Sequence, residues 1–181
     1  LPGTLHFVID RLFYFKIILV DRRKDVKMRG ISFEINNEYG KFLSDIFSNI
    51  IDPSWYWSVG PGESYKIEKG TLGSDLFPHS VSLNGPSFLE YISTNEYYLI
   101  FTDLKAFPNM EEVVEIKSYD DFLKSPCELA LLIIDSCYVS IFLKDESITH
   151  KLFERAKSFH YTNINYITNE NDTCTSLTVW G

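Results

Sequence analysis

Apolar and polar side chains alternate through "RGISFEIN", residues 29–36, which sets Ile31, Phe33 and Ile35 on one side and predicts a half-buried strand. The period then changes. Tyr39, Phe42, Leu43, Ile46, Phe47 and Ile50 recur at three- and four-residue spacing, the stripe of an amphipathic helix. Asn36 and Asn37 supply its cap and Asp52-Pro53 its stop. "SWYWSVGPGESYKIEKG" reads as two strands around Gly60-Pro61-Gly62, and residues 70–84 as irregular chain. A short helix follows Asn84, with Pro86 in its first turn and Phe88, Leu89 and Ile92 facing inward.

"EYYLIFTDLKAF" predicts a strand that ends at Pro108-Asn109, with "EEVVEI" as its hairpin partner. Ser118 to Asp121 has the form of a capping box, and Ser125-Pro126 stops the helix it starts. "ELALLIID" is apolar at almost every position, which marks a strand covered on both faces and therefore central. "YVSIFLK" pairs beside it across Asp135-Ser136. A last helix begins at Asp145 with the stripe Ile148, Leu152, Ala156 and Phe159, and the strands "NINYIT" and "TSLTVW" follow around "NENDT". Strands grouped in hairpins with helices inserted between them give an α+β domain over residues 28–181. Its mostly antiparallel sheet should carry three to four helices mainly on one face.

Charge changes this picture more than composition does. The 181 residues carry a net charge of −8, from 17 basic and 25 acidic side chains. Residues 1–27 contain six of the basic and three of the acidic ones, so residues 28–181 keep 11 against 22, a net of −11. A domain that acidic repels phosphate backbones, which argues against nucleic acid and for a basic protein partner. Three cysteines form no disulfide framework, and reduced thiols fit a cytoplasmic protein.

The apolar run of residues 5–20 contains Asp10, Arg11 and Lys16, so it is too short and too charged for a membrane span. It also lacks the basic region and small-residue cleavage site of a secretion signal. Arg22-Arg23-Lys24 back-translates to a purine-rich ribosome-binding site ahead of Met28, and Leu1 to a TTG start codon. Residues 1–27 are therefore expected to be a translated, non-native leader.

Candidate chemistry is sparse. Cys137 with His79 or His150 is the best nucleophile–base combination, but its neighbours are an apolar strand and Asp135. A reactive thiolate needs a base or cation beside it. His150 and His160 lie ten residues apart, and no C-x-x-C or H-x-x-x-H spacing occurs, so neither a metal nor another cofactor is expected. Glu111, Glu112 and Glu115 form an acidic spot, read as the charged solvent face of an edge strand that could meet a basic partner. Trp55 and Trp57 share one strand face: exposed, they make a partner-binding anchor, and covered, they pack beneath a helix.

"RGISFEINNEYGKFLSDI", "SYDDFLKSPCELALLIIDSCYVSIFLKD" and "NINYITNEND" resemble, in this order, a small family of uncharacterised proteins from Bacillus and its relatives, over roughly residues 28–181. The resemblance implies no activity and no functional residue. The residues themselves favour a non-enzymatic binding module, of which acidic immunity proteins of toxin systems are one version. The alternatives are a small enzyme with a site assembled from dispersed Cys, His and Glu residues, and a homodimer joined through an edge strand. Intact-mass measurement of the native protein should place its first residue at Met28, and a mass that includes residues 1–27 would reject the leader.

Overall fold

The computed structural model describes residues 26–77, 82–173 and 175–180. Apart from Val26 and Lys27, the leader expected at residues 1–27 lies outside the described residues, as does His79. The described strands are β1 (Met28–Glu34), β2 (Tyr56–Val59), β3 (Glu63–Glu68), β4 (Thr71–Asp75), β5 (Ser82–Leu83), β6 (Tyr97–Phe107), β7 (Leu129–Ile134), β8 (Tyr138–Leu143) and β9 (Thr162–Thr168). The helices are α1 (Phe42–Phe47), α2 (Gly85–Thr94), α3 (Tyr119–Lys124) and α4 (Glu146–Ser158). The strands form one sheet in the order β4-β3-β6-β7-β8-β1-β9, with β2 on β6 and β5 on β2. Every pairing among the described strands is antiparallel, so the α+β architecture follows the sequence reading.

β7 takes the central place expected of its unbroken apolar run. Leu129, Leu131 and Ile133 face a large core that also holds Phe42, Phe47, Phe88 and Leu152 from α1, α2 and α4. Ala130 and Leu132 face a smaller core on the opposite side, closed by Phe122 of α3 and by Leu177 and Val179 of the C-terminal segment. Three helices thus cover the first face, and one short helix with a strap of irregular chain covers part of the second.

Two strands flank Gly60-Pro61-Gly62 as expected, but they do not pair with each other. They lie end to end along β6, with Val59 opposite Leu104 and Glu63 opposite Phe101, so four steps on one side meet three on the other. The extra residue is accommodated where side chains are absent. A Cβ at Gly60 would lie 2.8 Å from Cγ of Asp103, and one at Gly62 would lie 2.4 Å from the Phe101 carbonyl oxygen. The turn of β7 and β8 puts Asp135 and Ser136 at φ 52° and 59°, the left-handed pair whose twist suits a tight hairpin.

Other expectations need correction. α1 starts at Phe42, not near Asn37, because Gly40 exchanges two backbone hydrogen bonds with Tyr97 and holds the preceding chain extended. Residues 71–75 and 82–83, read as irregular, are strands, since Lys69 and Gly70 adopt positive φ and turn β3 back into β4. "EEVVEI" pairs with nothing as a strand: Met110–Glu112 is a 3-10 turn, and extended chain follows it. "TSLTVW" contributes a single bridge, Ser118 to Ser176, in place of a strand.

α4 begins where the sequence placed it. The Asp145 carboxylate accepts the Ser147 and Ile148 amides at 2.7 and 3.1 Å, and Arg155 near its other end donates to the Asp45 and Ser48 carbonyls closing α1. Hydrogen bonds from the Ser147 side chain and the Ile148 amide hold the Asp145 carboxyl below its ordinary 3.8. Because this folded-state value is depressed, its stabilisation is present above the unfolded value and fades as the pH falls through the folded one. Asp145→Ala should cost about 1 kcal/mol at neutral pH. In urea titrations the gap between variant and wild type should close on acidification.

Candidate ligand-binding face

The second sheet face carries two of the spaces that the fold leaves open. Its floor includes a row across four strands: Leu132 pairs with Ser140, Ser140 with Ser32 and Ser32 with Asn165. Residues 175–180 cross this face as a strap and leave a groove of about 790 Å³ on one side and a cavity of about 250 Å³ on the other. Thr178 and Trp180 border both spaces. The groove is of the size that small-molecule and peptide-side-chain sites occupy.

A buried ion pair fixes the strap. Asp103 and Lys105 alternate with Leu104 along β6, so both turn to the second face, and each is only 5 % exposed. Lys105 Nζ donates to Asp103 Oδ1 and, at 2.6 Å, to the Leu177 carbonyl oxygen, while the Val179 amide donates to the Asp103 carboxylate. Burial raises the Asp103 carboxyl above its usual range, against the pull of Lys105. Burial likewise lowers the Lys105 ammonium, against the support of Asp103. The strap is further held by Leu177 N–H on the Lys117 carbonyl at 2.8 Å and Tyr119 N–H on the Thr175 carbonyl at 2.8 Å. Trp180 donates Nε1–H to the Pro61 carbonyl at 3.1 Å and packs its ring 4.7 Å from Phe101. Asp172 borders the groove, and Arg29 binds its side chain and carbonyl at 2.8 Å each while lying 3.5 Å above the Tyr119 ring.

The residues singled out from sequence are not brought together. Trp57 is fully buried and stacked 3.9 Å from Phe88 of α2, and Trp55 is 8 % exposed, so the two indoles form no exposed anchor. They belong to the helix-covered core, and the Trp57 indole N–H finds no acceptor there. Glu111 and Glu112 sit on the 3-10 turn, not on an edge strand, and Asn109 donates to Glu112 at 2.9 Å. Glu115 pairs with Lys117 at 2.9 Å and borders the 250 Å³ cavity.

Cys137 is half-buried in the β7–β8 turn, whereas His150 is on α4, where its Nδ1 lies 2.8 Å from the Tyr166 hydroxyl. Neither borders the groove or the cavity. Cys127, which the sequence did not single out, lies in the smaller core, and burial pushes its thiol up to about 12. Among the described residues no cluster of three or more His, Cys, Asp or Glu side chains could hold a metal, and no helix is long and apolar enough to cross a membrane.

The residues that sequence reasoning missed are Asp103, Lys105, Ile134, Tyr138 and Trp180. Two charges at alternate positions between Phe101 and Phe107 were the available signal, because a strand interior holds such a pair only against something polar. Removing one partner tests how far the strap depends on them. Lys105→Met leaves a buried carboxylate and the Leu177 carbonyl unpaired and should cost about 3–5 kcal/mol in urea unfolding. Asp103→Leu combined with Lys105→Met should recover much of that loss.

Comparison with known proteins places the chain in a family. The chain is 42 % identical over 152 residues to the uncharacterised protein YncE of Bacillus subtilis strain 168, a match that covers 83 % of this chain and 99 % of that protein. No solved structure matches. The family described as "Protein of unknown function (DUF2691)" matches residues 28–178, and the chain therefore belongs to it.

Proposed function

We propose that this protein is a non-enzymatic, cytoplasmic binding module for a basic protein partner, met on the uncovered part of the second sheet face. The observation that carries this reading is the exposure of three large side chains on that face. Ile134 is 40 %, Tyr138 56 % and Trp180 54 % exposed, where folding alone would favour burial. Ile134 and Trp180 border the groove, and Tyr138 pairs with Ile134 across the hairpin. Tyr and Trp combine large contact area with a polar edge and dominate binding energies at interfaces.

Charge supports a cationic partner. The net of −11 over residues 28–181 attracts basic surfaces over distance, and Glu34 stands opposite Tyr138 on the same face. A Lys or Arg of the partner would find the Trp180 indole between Glu115 on the cavity side and Asp172 on the groove side.

Affinity capture with the full chain should recover a stoichiometric basic protein whose association rate falls as salt is raised. The double variant Tyr138→Ala/Trp180→Ala should weaken that complex at least about tenfold, the loss of roughly 1.4 kcal/mol or more. Recovery of no basic protein, or equal binding by wild type and variant, would overturn the proposal.

A further inference from the structure

The cavity under Trp180 has a chemistry of its own, separate from the partner surface above it. Four charged side chains border its roughly 250 Å³: Asp103 and Lys105 inside, Glu115 and Lys117 at the rim. The inner two are 5 % exposed each, whereas the rim pair is largely in solvent. Lys105 spends two of its three N–H groups on Asp103 and the Leu177 carbonyl, which leaves one donor. Asp103 receives Lys105 and the Val179 amide and retains further lone pairs. Val114, Ile116 and the Trp180 indole supply an apolar wall between the two pairs.

We propose that this cavity binds a small zwitterion, a free aliphatic α-amino acid. The four charges sum to zero, so a simple anion or cation meets as much repulsion as attraction. A molecule that carries both signs is favoured at both ends. Spacing selects the α-amino acid among zwitterions. Asp103 and Lys105 are two residues apart on one strand face, about 7 Å between Cα atoms, with their charged ends in contact. A ligand's ammonium and carboxylate must therefore lie close together to meet them. Its carboxylate takes the remaining Lys105 N–H, its ammonium takes Asp103, and its side chain lies against Val114, Ile116 and Trp180.

Titration calorimetry on the full chain at neutral pH tests this with L-leucine and L-valine as probes. Three controls each lack one feature: N-acetyl-L-leucine has no cation, L-leucinamide has no anion, and 6-aminohexanoate holds its charges apart. Saturable binding of L-leucine or L-valine is expected, at least tenfold tighter than any control. Val114→Trp, at a position 47 % exposed, fills the cavity mouth without disturbing the core and should abolish the heat while the circular dichroism spectrum is unchanged. Absence of saturation with both amino acids, equal binding of a blocked control, or binding undiminished in a folded Val114→Trp protein would overturn the proposal.

Discussion

A wide sheet presents two apolar faces to water, and among the described residues the two longer helices, α2 and α4, both lie on one of them. α1, α2 and α4 gather on the face of Leu129, Leu131 and Ile133 and bury the aromatic centre around Trp57 and Phe88. The opposite face is closed by α3, which is six residues long, and by a strap that forms no ladder. Chain without a ladder has main-chain groups to satisfy, and a buried apolar surface offers nothing to satisfy them. Asp103 and Lys105 meet that need from inside the sheet: a carbonyl and an amide two residues apart on the strap find a cation and a carboxylate two residues apart on β6. The ion pair acts as the missing neighbouring strand.

What the strap leaves open follows from its narrowness. One extended segment shields a lane across the sheet, so space remains on either side, and the side chains that border those spaces include both apolar and polar types. The groove and the cavity are thus two results of one economy in covering material. They differ in character because the floor differs: a row of hydroxyl and amide groups on one side, charged side chains on the other.

Periodicity made the first face legible. Ile31 and Phe33 alternate as a one-sided strand should, β7 is apolar on both sides, and the α4 stripe with its Asp145 cap has no competing reading. The second face was hard to read for a physical reason. "TSLTVW" alternates because Leu177 and Val179 are buried, and alternation reports burial without reporting a hydrogen-bonded partner; in "EEVVEI" only Ile116 is buried. The same ambiguity left two readings open for Trp55 and Trp57, whose shared side could have met solvent or a helix; α2 supplies Phe88 to cover it. Asp103 and Lys105 were visible as an anomaly in an apolar strand, but their partners lie more than 70 residues later in a segment that looked like a strand.

The hydroxyl of Tyr97 accepts the Leu43 and Ser44 amides at 2.9 and 3.2 Å, the task a capping side chain performs at the start of a helix. α1 has six residues and no side-chain cap of its own. So short a helix is unstable in isolation, and its stabilising group comes from a strand more than fifty residues downstream. Because α1 gains this cap only once β6 is in place, it is expected to appear during refolding when the middle of the sheet closes. In a chain whose ladders join such distant segments, this makes the first of the described helices a late event in time.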